Sequence, residues 1–313
     1  MLANISWNDN LRDVINQDKS VKLYLLRIVN FLTVKTMRLI YFLAILIWFA
    51  FSTLPASASD PKLEFGFLPY FSPAKLMELH SPLKQYLEEN LNSRIIIISA
   101  PNFKEFQFRT KEKRYDIIFT APHMARLAEF ESGYQRVVMS RHRGRPIFLI
   151  RQDSSISKLQ NLTGKKISLP PPRAIIHHVA VKALKRSGLQ IGKTVTIVVT
   201  PSHSSALLSL LNHQVSVAVM GNAPWRTYQK KYKNQVKVLD ASADFPGFLI
   251  MAHPKMPLKM VNQIKNVFLD FSITNAGRKY LEATGLEDLV HINDETMAEL
   301  DPYVEAIFGI EVP

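Results

Sequence analysis

The stretch "LPPPRAIIHHVA" (residues 169–180) carries an arginine and two histidines where a strand gives way to a helix. A helix start presents unpaired backbone N–H groups and the positive end of a dipole, which suits an anion. Arg173, just ahead of that helix, would add a bidentate guanidinium fork for a carboxylate or phosphoryl group. His177 and His178 fall in the first turn, where the dipole disfavours imidazolium; His177 is a candidate contact in its neutral form. Metal chemistry finds no support. Cysteine is absent, and there is no i, i+4 histidine pair or HExxH pattern. GxSxG, Walker and dinucleotide-binding motifs are missing too, and eleven glycines leave few phosphate-cradling loops. These residues point to binding rather than catalysis, with no cofactor and no metal.

Such a site needs strands and helices to position it. "LEFGFLP" (63–69) is an expected strand, followed by Ser72-Pro73 as a helix start and Leu76, Leu79, Leu83 and Leu87 at helical spacing. Pro82 is expected to kink or restart that helix. "RIIIIS" (94–99) has the continuous apolar pattern of a strand covered on both faces. A short helix over 102–110 and a strand over 115–120 complete a β-α-β-α-β order, which predicts a parallel sheet. A second series follows: strands 165–170, 194–200, 215–221 and 236–241, with helices near 174–187, 203–212 and 223–232. The triplet Phe-Leu-Ile occurs at 148–150 and again at 248–250, bracketing this series. It reads as two antiparallel crossings, with hinge candidates Pro146–Arg151 and Pro246–Met251. The tail is expected to be helical over 256–270, 275–284 and 294–308 and to pack on the first lobe.

Two α/β lobes joined by two hinge segments would make a clamshell. Residues 61–147 and 251–313 would form the first lobe and 148–250 the second. The ligand belongs in the cleft, at the carboxyl ends of strands.

The 313 residues carry a net charge of +13. Residues 1–58 hold six Lys/Arg and three Asp, which leaves +10 on the rest. That surplus favours an anionic solute or membrane surface. The basic residues are scattered and nucleic-acid motifs are absent, so no nucleic-acid partner is expected. Residues 37–58, "MRLIYFLAILIWFAFSTLPASA", have the layout of a secretory signal peptide: a basic start, an uncharged run from Leu39 to Phe51, and Ala56-Ser57-Ala58. The run is short for a transmembrane span. Residues 1–36 then read as a mis-assigned extension ahead of a true start at Met37, and the protein as periplasmic.

Five segments carry a family resemblance: "GFLPYFSPAKLMELHSPLKQYLEENL", "YDIIFTAPHMARLAE", "SISKLQNLTGKKISL", "TPSHSSALLSLLNHQVSVAV" and "TNAGRKYLEATGL". Over residues 62–309 the chain resembles the periplasmic phosphate/phosphite/phosphonate-binding proteins of ABC transporters, which have the type 2 periplasmic-binding-protein fold. The resemblance implies a monomeric solute-binding protein that captures a small anionic solute and delivers it to a membrane permease. It carries ligand contacts onto Tyr70, onto Thr120 and the turn after it, where His123 follows, and onto Ser202 and His203. Asn222 stands where relatives place acidic residues. Ala174, Ile175 and Ile176 stand where relatives have a hydroxyl-rich loop that cups the phosphonate oxygens. Losing those donors makes a carboxylate or another phosphorylated compound as credible a solute as phosphonate. The alternative reading is a sensor module reporting its ligand to a membrane signalling protein.

Overall fold

A computed structural model of the chain describes residues 19–52 and 61–312. The expected Pro55 and Ala56-Ser57-Ala58 lie outside these residues, as does the first half of the expected extension. Helix α1 (Lys19–Ser52) runs through Met37 without a break. Leu23–Val34 add apolar length upstream of the thirteen-residue run. Lys22–Ile47 is therefore long and apolar enough to cross a bilayer.

Residues 61–312 build two sheets. The first half runs β1 (Lys62–Phe67), α2 (Pro73–Leu91), β2 (Arg94–Ser99), α3 (Phe103–Lys111), β3 (Ile117–Thr120), α4 (Pro122–Ser132) and β4 (Gln135–Ser140). Strand β1 pairs in parallel with both β2 and β3, the register the β-α-β-α-β order predicts. The buried face of α2 carries Leu76, Leu79, Leu83 and Leu87, and that packing holds the helix continuous through Pro82. Strand β2 is an edge strand, half-buried rather than covered on both faces. An apolar run does not distinguish a central strand from an edge whose outer face meets a helix.

The second series comprises β5 (Pro146–Arg151), β6 (Lys166–Leu169), α5 (Ile175–Arg186), β7 (Thr196–Val199), α6 (His203–Leu211), β8 (Val217–Gly221), α7 (Asn222–Tyr232) and β9 (Val236–Ala241). Its sheet has the order β7-β6-β8-β5-β9, with β6 parallel to both neighbours and β5 antiparallel to both of its own. Strand β10 (Leu249–Ala252) returns to the first sheet, between β3 and β4. Helices α8 (Leu258–Ile273) and α9 (Asn275–Thr284), strand β11 (Leu289–Val290), and helices α10 (Asp294–Ala298) and α11 (Asp301–Phe308) follow. The first sheet has the order β11-β4-β10-β3-β1-β2. Helix α11 packs against both α4 and α5, so the tail touches both halves rather than one.

The first Phe-Leu-Ile triplet is not a crossing, because it lies wholly within β5. The second is split: Phe248 ends a crossing, so the hinge candidate Pro246–Met251 overlaps it, while Leu249 and Ile250 open β10. The chain passes between sheets at residues 141–145 and 242–248. Gly144 and Phe245 exchange backbone hydrogen bonds there, at 2.7 and 2.8 Å. Gly247 lies so close to the other crossing that a Cβ would meet the Ser140 and His142 carbonyl oxygens at 2.6 Å. Both contacts are backbone, so a side chain fits only if the crossings part. Gly247→Ala is expected to destabilise the protein by ~2 kcal/mol. Chemical denaturation checks this; wild-type stability in the variant would show that the crossings yield freely.

Candidate functional site

A partly open cavity lies between the sheets, beside the crossings; its atom-free space, counting the solvent at its mouth, is about 460 Å³. Leu68, Tyr70, Phe103, Ala121 and Pro122 line it from the first half. Ala174, Ile175, Ile176, His203 and the start of α7 line it from the second. His142, Gly144 and Phe245–Phe248 close the side formed by the crossings. No lysine, arginine, aspartate or glutamate is among the lining residues.

Helices α4, α5, α6 and α7 all begin at this cavity, because each follows a strand whose carboxyl end points there. Three of the starts, at Ala121, Ala174 and Gly221, have no side-chain cap. The first amides of α5, those of Ile175 and Ile176, have no acceptor within their own helix. Only α6 is capped by a side chain: the Ser202 hydroxyl accepts from the Ser205 amide at 3.2 Å.

Three of the eight expected contacts, Tyr70, His203 and Asn222, line the cavity. The Asn222 amide is already engaged. Its Oδ1 accepts from the Arg145 amide at 3.0 Å and its Nδ2 donates to the Arg143 carbonyl at 2.8 Å, tying α7 to the first crossing. The other five lie outside the lining. Arg173 turns away to donate to Gln107 Oε1 and sits over the Phe308 ring, 5.7 Å from its centroid. His177 Nδ1 donates to the Pro170 carbonyl at 2.8 Å, which closes the loop ahead of α5. Ser202 serves as the cap of α6. Thr120 ends β3 facing a smaller pocket between α3 and α4, its hydroxyl buried without a partner. His123 Nε2 donates to the Arg173 carbonyl at 2.8 Å, a bond that crosses between the halves.

A second bond crosses the gap, from the His203 amide to the Tyr70 carbonyl at 3.2 Å. The halves are thus held together in a closed arrangement. His142 and Phe245 escape the sequence reading because the crossings begin just ahead of the two hinge candidates; Phe248 falls inside the candidate Pro246–Met251. The signal available was "DFPGF" (244–248), a proline-glycine turn just ahead of β10.

Residues 65–297 match the family of ABC transporter phosphonate periplasmic substrate-binding proteins. The chain belongs to this family. Membership implies a periplasmic location, a small-molecule ligand and a permease partner, and it makes the chain a binding protein rather than an enzyme. Solved structures share the type 2 binding-protein fold. A binding protein component of an ABC phosphonate transporter from Pseudomonas aeruginosa is 16% identical, with a TM-score of 0.68 over 78% of this chain and 85% of its own. PhnD1 from Prochlorococcus marinus, solved with methylphosphonate, is 12% identical at a TM-score of 0.67, over 80% of this chain and 100% of its own. The aliphatic sulphonate binding protein SsuA from Escherichia coli is 15% identical at 0.57, over 80% and 93%.

This family member buries four histidines in neutral form. Desolvation pushes His80 down to about 3, and His123, His142 and His203 down to about 4. Their ordinary value is near 6.5. Below that pH the unfolded chain takes up protons that the folded chain refuses. Stability is therefore full above about pH 6.5 and falls as acidification proceeds toward 4. The slope is about 1.4 kcal/mol per pH unit for each histidine that stays neutral. The melting temperature should drop steadily between pH 6.5 and 4.5; a level profile over that window would contradict the burial argument.

Proposed function

We propose that this chain is the solute-binding component of an ABC transporter and takes a small anion with an apolar body into the interlobe cavity. The observation that carries this reading is the lining itself. Uncapped helix starts meet there, Ile175 and Ile176 replace the hydroxyls expected of the loop, and no cationic side chain faces in. Helix amides can receive one oxyanion group. A compact dianion would lose its hydration without gaining a counter-charge, a heavy cost. An aliphatic or aromatic substituent fits the walls made by Leu68, Phe103, Ile176, Phe245 and Phe248.

Ligand contacts from both halves would stabilise the closed arrangement relative to an open one, and the closed form would engage the permease. The apolar helix ending at Ser52 supports export through a signal peptide or retention by an anchor. Thermal-shift measurements with inorganic phosphate, methylphosphonate, phenylphosphonate, benzoate and butanesulfonate test the solute class. Binding to the folded state raises the melting temperature by mass action. Phenylphosphonate or benzoate should give the largest rise. A larger rise with inorganic phosphate would refute the apolar body, and no rise with any anion would refute the anion.

A further inference from the structure

Three polar side chains form a line running back from the cavity wall into the core of the first half. Tyr70 Oη lies 2.9 Å from His80 Nε2, and His80 Nδ1 lies 2.9 Å from Tyr280 Oη. All three are buried, His80 completely. Their surroundings are aromatic. Phe67 and Phe119 lie against the imidazole at 4.2 and 5.3 Å, and Phe271 lies 5.4 Å from the Tyr280 ring. No other hydrogen-bond partner reaches either phenol oxygen among the described residues.

The hydrogens can be counted. Burial keeps the imidazole neutral, so it carries one ring hydrogen. With two phenol hydrogens, the line holds three donors but only two contacts. One hydrogen is always left over. If Tyr70 donates to Nε2, Nδ1–H donates to Tyr280 and the surplus hydrogen is stranded on Tyr280, with apolar rings around it. A buried donor without an acceptor is strongly disfavoured. If Tyr280 donates to Nδ1, Nε2–H donates to Tyr70 and the surplus hydrogen falls on Tyr70. Of the three residues, Tyr70 alone lines the cavity.

We propose that Tyr280 and His80 are positioning residues that fix Tyr70 as a hydrogen-bond donor to the bound solute, so the solute must place an acceptor oxygen against Tyr70. This rests on the cavity being the solute site. The far wall holds a complementary anchor: His203 lines the cavity with its Nδ1 buried and unpartnered. A solute gripped by both touches each half of the protein. Tyr70 thereby selects for an oxygen acceptor and against an ammonium or other pure donor at that position.

The test is the tautomer of His80 in the full chain, read by long-range 1H–15N correlation after histidine 15N labelling. His80→Gln assigns the signals by their loss. The hydrogen is expected on Nε2 with Nδ1 bare, and Tyr280→Phe should move the Nδ1 resonance without unfolding the protein. A hydrogen on Nδ1, or on both nitrogens, overturns the proposal. In binding measurements with phenylphosphonate, Tyr70→Phe should lose at least tenfold in affinity and Tyr280→Phe about threefold. Equal affinity in all three proteins, with binding intact, would also overturn it. If phenylphosphonate binds none of them while the Nε2 tautomer is found, the relay stands and the solute class is what fails.

Discussion

Parallel strand pairing is the constraint on which the site depends. A strand followed by a helix and then a parallel neighbour must start its helix at the same edge every time. Strands β1 to β3 in the first sheet and β6 to β8 in the second obey that rule, and the two edges face each other. Four helix starts converge on one cavity as a result. Their amides need acceptors, and the chain withholds side-chain caps at three of them. At α7 the Asn222 backbone amide is taken by the Arg145 carbonyl and α4 opens on Pro122, which has no N–H, so the donors left for whatever enters are chiefly the Ile175 and Ile176 amides of α5.

The remaining walls are tuned by what they omit. Charges are kept out, and the imidazoles at or near the lining are held neutral by burial. Closure is secured by backbone acceptors rather than ion pairs at the cavity itself: the Tyr70 carbonyl for the His203 amide, and the Arg173 carbonyl for His123. Arg173 contributes its carbonyl to this contact while its guanidinium serves Gln107 and Phe308. Ion pairs lie further out, as between Arg226 and Glu287 at 3.0 Å.

Much of the fold was legible because local patterns carried it. "RIIIIS" and "VKVLDA" are strands over their full quoted length, and Asn275–Thr284 is a helix with Gly285 just past its end. The two-sheet α/β class followed from their order. What failed required knowledge of distant partners. Whether an apolar strand is central or an edge depends on which strands pair with it. Whether Phe-Leu-Ile bends between lobes or extends within a sheet depends on β8, β9, β3 and β4, which flank it only after folding. "QRVVMS" (135–140) went unread as a strand for the same reason. In the site, helix-start positions were readable from sequence, but side-chain direction was not. Arg173 turns toward groups 66 residues before it and 135 after it, and the polar line behind Tyr70 spans 210 residues.

Strand β2 has one side without a neighbour, and four successive isoleucines occupy it. Its outer row of carbonyls and amides is a template on which another extended chain can dock. Arg94, exposed at the entry of the strand, is the one charge on it and acts as the gatekeeper. Isolated from its helices during translocation, the same hexapeptide has the β-branched, proline-free character of segments that stack into fibrils. In the folded protein α2 packs against this strand, which keeps that face of the hexapeptide out of reach of a second copy.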